Sequence, residues 1–220
     1  MLEMPEKENY YKKNAIIFGA SKGIGFAIAK NLLLNGFNVS ISSRNANNLK
    51  KAEDELNNLN TKGIVISSVC DVLNINDIEN CIQKTLDEFS NIDILVNNSG
   101  GPPMSSFEKL DLDSWQNAYE LILRSTIFIS SKIAPMMSKN KFGRIITVTS
   151  SIAREPSPLM VLSTTFRAGV TAFMKAISIQ LAPDNVNVNI ISPGGVLTDR
   201  INELVTKQAS INKKTFNEVL

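Results

Sequence analysis

Gly19, Gly23 and Gly25 follow a short apolar run, Ile16, Ile17 and Phe18, and precede a stretch with helical periodicity. A strand that runs through glycines into a helix brings backbone close to a pyrophosphate and aims the helix's free N–H groups at it. The spacing is G-x-x-x-G-x-G rather than G-x-G-x-x-G, so the glycines alone fit an ordinary strand-to-helix turn equally well. Ser21, Lys22 and Ile24 complete the loop. A second group stands one strand later, where Ser42 and Ser43 end in Arg44. A carboxylate at that place would accept hydrogen bonds from a ribose 2′-hydroxyl, whereas Arg44 with Lys22 offers positive charge to a 2′-phosphate. The pair favours NADP over NAD; the competing reading of Arg44 is a solvated loop residue.

The elements that must position these groups alternate along the chain. Strand patterns at Ala15 to Phe18, Asn38 to Ser42, Ile64 to Ser68, Ile92 to Val96, Arg144 to Val148 and Val186 to Ile191 are separated by helical patterns. The helices are expected over Gly23 to Leu34, Ala46 to Leu59, Ile75 to Phe89, one long helix within Ser114 to Met137, and Ser163 to Leu181. This alternation predicts a doubly wound, Rossmann-like α/β domain, with a mainly parallel sheet of six or seven strands flanked by helices. Ligands bind such sheets beyond the carboxyl ends of the strands. The polar and glycine-rich positions fall there: Gly19 to Gly25, Arg44, Asp71, Asn97 to Gly100, Ser150, and Pro193 with Gly194.

Composition narrows the classes further. With 220 residues and 43% apolar content, residues 1–220 are expected to form one domain. The net charge is +2 and the cations are scattered, which disfavours nucleic acid or an acidic membrane as partner. No apolar run has the length of a membrane span, and the N-terminus is charged where a signal peptide would be apolar, so a cytoplasmic location is expected. Cys70 and Cys81 lack CxxC spacing and the chain has no histidine, so metal and disulfide roles are not expected.

Taken together these motifs resemble the short-chain dehydrogenase/reductase family, over essentially the whole length. The loop Gly19 to Gly25 is similar to T-G-x-x-x-G-I-G, with Phe18 in place of the threonine. Asp71 and Val72 resemble the pair that holds the adenine, and Asn97, Asn98, Ser99 and Gly100 resemble N-N-A-G. Pro193 and Gly194 with Thr198 resemble the loop over the nicotinamide. The likeness is greatest to bacterial and archaeal proteins labelled 3-oxoacyl-(acyl carrier protein) reductase. It implies reduction of a carbonyl, 3-oxoacyl-like or a small ketone, or oxidation of an alcohol. It also implies a homodimer or homotetramer packed through the helices around Leu121 and Val170, unless those helices only cover their own sheet. Family members usually continue for a further apolar strand and segment beyond the region of Thr215 to Leu220, so by the same likeness either the sequence continues or the sheet edge and part of the substrate lid are missing.

The resemblance departs at the chemistry. In the family a Tyr-x-x-x-Lys pair, a serine one loop earlier and an asparagine on the preceding helix act together. Here Ser150 holds the serine position, Ser163 falls where the tyrosine belongs, and Arg167 falls where the lysine belongs. Counting from Trp115 puts Ile122 at the asparagine. A serine hydroxyl is a poor proton donor, an arginine does not deprotonate, and isoleucine has no polar side-chain atom to order a water. Ser150 reads also as a loop cap, Tyr119 as a packing residue and Glu155 as solvated, though each could serve the pocket. Two expectations follow. One is an NADP(H)-dependent oxidoreductase with Ser150, Ser163 and Arg167 at the reaction end, and the other is a dinucleotide-binding protein without redox turnover, a sensor or an inactive partner subunit.

Overall fold

In a computed structural model, described for residues 13–196, 205–206, 209 and 215, the strands run in parallel. They are β1 (Asn14–Ile17), β2 (Asn38–Ser43), β3 (Val65–Val69), β4 (Ile94–Asn97), β5 (Gly143–Val148) and β6 (Val186–Ile191). Their order in the sheet is β3-β2-β1-β4-β5-β6. The chain thus moves outward from β1 in one direction, then returns to β1's other side through β4. The crevice between the carboxyl ends of β1 and β4 is the switch point at which such sheets hold ligands. The Rossmann-like α/β expectation is met with six strands among the described residues.

Alternation along β1 divides the core. Ile16 and Phe18 face one layer, built from α3 (Ile75–Phe89), α5 (Ser125–Lys139) and α6 (Val161–Leu181). Ala15 and Ile17 face the other, built from α1 (Gly23–Leu34) and α2 (Ala46–Asn57). Period-two burial of this kind fixes register, because a one-residue slip would exchange the two faces. α2 and α3 start at asparagines, Asn45 and Asn74, whose side chains accept from the N–H groups of Asn48 and Asn76.

The long helix expected within Ser114 to Met137 is present and continuous, but it changes its winding partway along. α4 (Leu112–Ala118), capped by Asp111, runs through a wide π turn, Tyr119–Arg124, into α5. Ser125 Oγ and Thr126 Oγ1 donate to the carbonyls of Leu121 and Ile122, each at 2.7 Å, and so satisfy groups that the widened turn frees. Among the described residues no helix is long and apolar enough to cross a membrane.

Candidate functional site

Gly19 and Gly23 adopt φ of +62° and +60°, values that side chains other than glycine rarely accept. A Cβ on Gly19 would stand 2.7 Å from the carbonyl oxygen of Asn98, and one on Gly25 would collide with Gly19 O and lie 2.7 Å from Asn98 Nδ2. Asn98, at the end of β4, reaches across the switch point and donates through Nδ2 to Phe18 O (3.2 Å) and Gly19 O (2.9 Å). The loop is therefore shaped by its neighbour strand as well as by its own glycines.

α1 begins here with no side-chain cap and no carboxylate in its first turn. A helix leaves its first N–H groups without intrahelical partners, and together with the helix dipole they attract an anion. Lys22 and Arg44 are both exposed beside this terminus. Ser21 Oγ donates to Ser43 Oγ at 2.9 Å and joins the glycine loop to the end of β2. Ile24 packs back into the α1 layer. The glycine cradle and uncapped N-terminus thus fit a dinucleotide's pyrophosphate.

At the end of β3, Asp71 Oδ1 accepts from Leu73 N (3.0 Å), while Asp71 N donates to Asp77 Oδ2 (3.0 Å). Val72 packs against the larger core layer. Gly100 is exposed, and a Cβ there would meet nothing within 4 Å. The same is true of space around Gly194. Pro193 O accepts from Ser151 N at 2.9 Å, which ties the loop after β6 to the loop after β5. Thr198 lies outside the described residues.

The residues expected at the reaction end lie in the loop after β5 and the first turns of α6. Ser150 caps a 3₁₀ turn, Ser151–Ala153, its hydroxyl accepting from Ile152 N at 3.4 Å. Ser163 and Arg167 lie one turn apart on α6 and are only 3% and 8% exposed. Arg167 Nε donates to Ser163 Oγ (3.2 Å), and Nη1 donates to Val148 O (3.2 Å), the last carbonyl of β5. The sequence places these two in one register, and the fold joins them into one hydrogen-bonded unit. Ile122 is 2% exposed within the π turn. Tyr119 is a packing residue, its ring 6.1 Å from that of Phe166, which also meets Trp115 edge-on. Glu155 is exposed.

One pairing escapes spacing rules. Cys70 and Cys81 are both buried in one core layer. A hydrogen bond with Cys81, followed by burial, holds the Cys70 thiol well above its ordinary range, so that it stays protonated. Eleven positions apart on a strand end and a helix, the two give no sequence signal beyond both being apolar.

Residues 13–209 match a family described as short chain dehydrogenase. The chain is 30% identical over 210 residues to the NADPH-dependent reductase BacG of Bacillus subtilis, covering 94% of this chain and 81% of that one. It is 33% identical over 193 residues to a 3-oxoacyl-(acyl-carrier-protein) reductase of Synechocystis sp., covering 86% and 76%. Among solved structures it is similar to L-sorbose reductase from Gluconobacter frateurii complexed with NADPH and L-sorbose, with TM-score 0.88 and 25% identity, covering 96% of this chain and 80% of that one.

Proposed function

The chain belongs to the short-chain dehydrogenase family, and on that premise we propose that it is an NADP(H)-dependent oxidoreductase acting on the carbonyl or alcohol of a small molecule. The observation that carries this reading is the uncapped, glycine-built start of α1 at the switch point, with Lys22 and Arg44 exposed beside it. A relative described as NADPH-dependent and a similar structure complexed with NADPH support the same cofactor. NADPH, when bound, supplies the hydride. Gly19, Ser21, Gly23, Ile24 and Gly25 hold the pyrophosphate, Lys22 and Arg44 the 2′-phosphate, and Asp71 with Val72 the adenine. Asn98, Gly100, Arg167, Pro193 and Gly194 line the nicotinamide half.

At the reaction end Ser150 and Ser163 are the hydroxyls able to meet a substrate oxygen. Because Ser163 Oγ accepts from Arg167 Nε, its own proton is left to donate, beside a fixed positive charge. That couple replaces the family's phenol and ammonium with a weaker acid, so turnover is slow rather than forbidden. Residues 1–220 act as one dinucleotide-binding unit in the cytoplasm, and Ile127 on α5 and Ile179 on α6, both exposed, contribute to a homodimer or homotetramer.

A second reading, binding without turnover, is favoured by one observation: Ser163 is nearly sealed and already engaged by Arg167. Two measurements separate the readings. Quenching of Trp115 by NADPH, compared with NADH, reports binding. Steady-state oxidation of NADPH against 3-oxo esters and small ketones reports chemistry. A rate above background for any substrate supports the oxidoreductase, and binding with no rate for all of them leaves the sensor or inactive subunit.

A further inference from the structure

Arg124 closes the π turn between α4 and α5, yet its guanidinium is spent on the far side of the site. Nη2 donates to Leu73 O at 2.6 Å, and Nη1 pairs with Glu120 at 3.3 Å, one turn back. Leu73 is the residue whose N–H is held by Asp71 Oδ1. Its two backbone groups are therefore gripped from opposite sides, the N–H by the loop's own carboxylate and the carbonyl by a cation from another element. Asp71 is held in turn, its N–H by Asp77 and its carbonyl by Asn74 N at 2.9 Å. Oδ2 is the Asp71 oxygen not used in holding the loop.

We infer that Arg124 is a positioning residue for the adenine end of the dinucleotide, fixing the Asp71–Leu73 turn to the helix that carries Ile122 at the reaction end. The inference rests on the cofactor reading above. A charge-assisted bond of 2.6 Å from a side chain only 26% exposed is among the stronger ties available to a surface loop. It converts a turn otherwise stabilised by its own short-range bonds into one whose position is referred to α5. Lys132, on α5 two turns beyond Arg124, pairs with Glu79 on α3 at 2.7 Å and joins the elements that follow these two segments; both groups are well exposed, so it contributes less.

The test compares wild type with Arg124→Ala and Arg124→Lys by calorimetric titration with NADPH and with adenosine 2′,5′-bisphosphate, and by ligand-observed NMR with reduced nicotinamide mononucleotide. Thermal unfolding of each unliganded variant accompanies them. The expected result is about tenfold weaker binding of NADPH and of the adenosine ligand in Arg124→Ala, unchanged binding of the mononucleotide, and partial recovery in Arg124→Lys. If Arg124→Ala does not fold, the lysine variant alone decides, since it keeps the charge but loses the fork geometry and should weaken only the adenine-bearing ligands. Equal weakening of all three ligands, or of none, overturns the inference. A wild-type protein that binds none of them removes the cofactor reading and this inference with it, whereas tight wild-type binding with indifferent variants removes the inference alone.

Discussion

The two ends of the same parallel strands are finished in opposite ways. At the amino end of the sheet, polar groups are used up on one another. Asn14 Nδ2 donates to Phe89 O (3.1 Å) and to Asn91, Asn38 Nδ2 donates to Asn14 Oδ1 (2.9 Å), and Asn38 Oδ1 takes Ile64 N (2.9 Å). Asp93 accepts from Asn14 N and pairs with Lys13. At the carboxyl end, α1 starts with no cap, two glycines hold positive φ, and Lys22 and Arg44 stand exposed. Asparagine serves both ends, since Asn98 also bonds backbone carbonyls. A self-satisfied edge holds strands in place, whereas an edge shaped by glycines around an uncapped helix start suits a binding site.

The largest test of that contrast is Gly25→Val. Its branched side chain would meet Gly19 O, Asn98 Nδ2 and the Ala20 backbone at once, and the cradle must open to admit it. NADPH affinity is expected to fall by about a thousandfold or more, because the pyrophosphate loses close backbone approach. Circular dichroism should still report the α/β fold, since the amino end is untouched. Near-normal binding in this variant would break the assignment of the cradle.

The two ends also differ in how legible they are. Backbone-built features announce themselves, because a positive φ, a close approach and a free helix terminus each select glycine or the absence of a cap. α1 and α3 follow the expected limits, and β1 and β2 shift by no more than a residue. What depends on side chains meeting across the fold is much harder to read. The bond of Arg167 to Val148 O, the contact of Cys70 with Cys81 and the grip of Arg124 on Leu73 all join residues whose partnership is set by tertiary placement. The π turn was hidden for a related reason, because it keeps an unbroken helical sequence and changes only the hydrogen-bond count per turn.

The reaction end supplies the next prediction in size. The double substitution Ser163→Tyr with Arg167→Lys places a phenol and an ammonium on the turn of α6 that now carries a hydroxyl and a guanidinium. If proton donation limits the rate, kcat for carbonyl reduction is expected to rise by about a hundredfold. An unchanged kcat would mean that hydride alignment or product release limits instead, and the reaction end would then be no weaker in design than the cofactor end.

A smaller effect is expected from the closed edge. Asn14 is 5% exposed and bridges three partners, so Asn14→Ala leaves Phe89 O and Asn38 Nδ2 without their bonds. The loss is about 2 kcal/mol of folding stability, read from urea unfolding. NADPH affinity should not change, because no group at this edge faces the crevice. A parallel loss of binding would mean that the two ends are mechanically coupled through the strands.

The smallest effect concerns Arg44, and it probes how open the carboxyl end is. An exposed arginine beside a 2′-phosphate acts through partly screened charge, so Arg44→Ala should weaken NADPH by about tenfold while leaving NADH unchanged. The phosphate supplies a further control, because a phosphate monoester gains a proton near pH 6 and loses part of its charge. The wild-type preference for NADPH over NADH should therefore shrink as pH falls from 7.5 to 5.5 and as salt rises, and the variant's weaker preference should shrink less. A preference insensitive to both would move phosphate recognition from Arg44's charge to neutral donors in the glycine loop, such as the hydroxyls of Ser21 and Ser43.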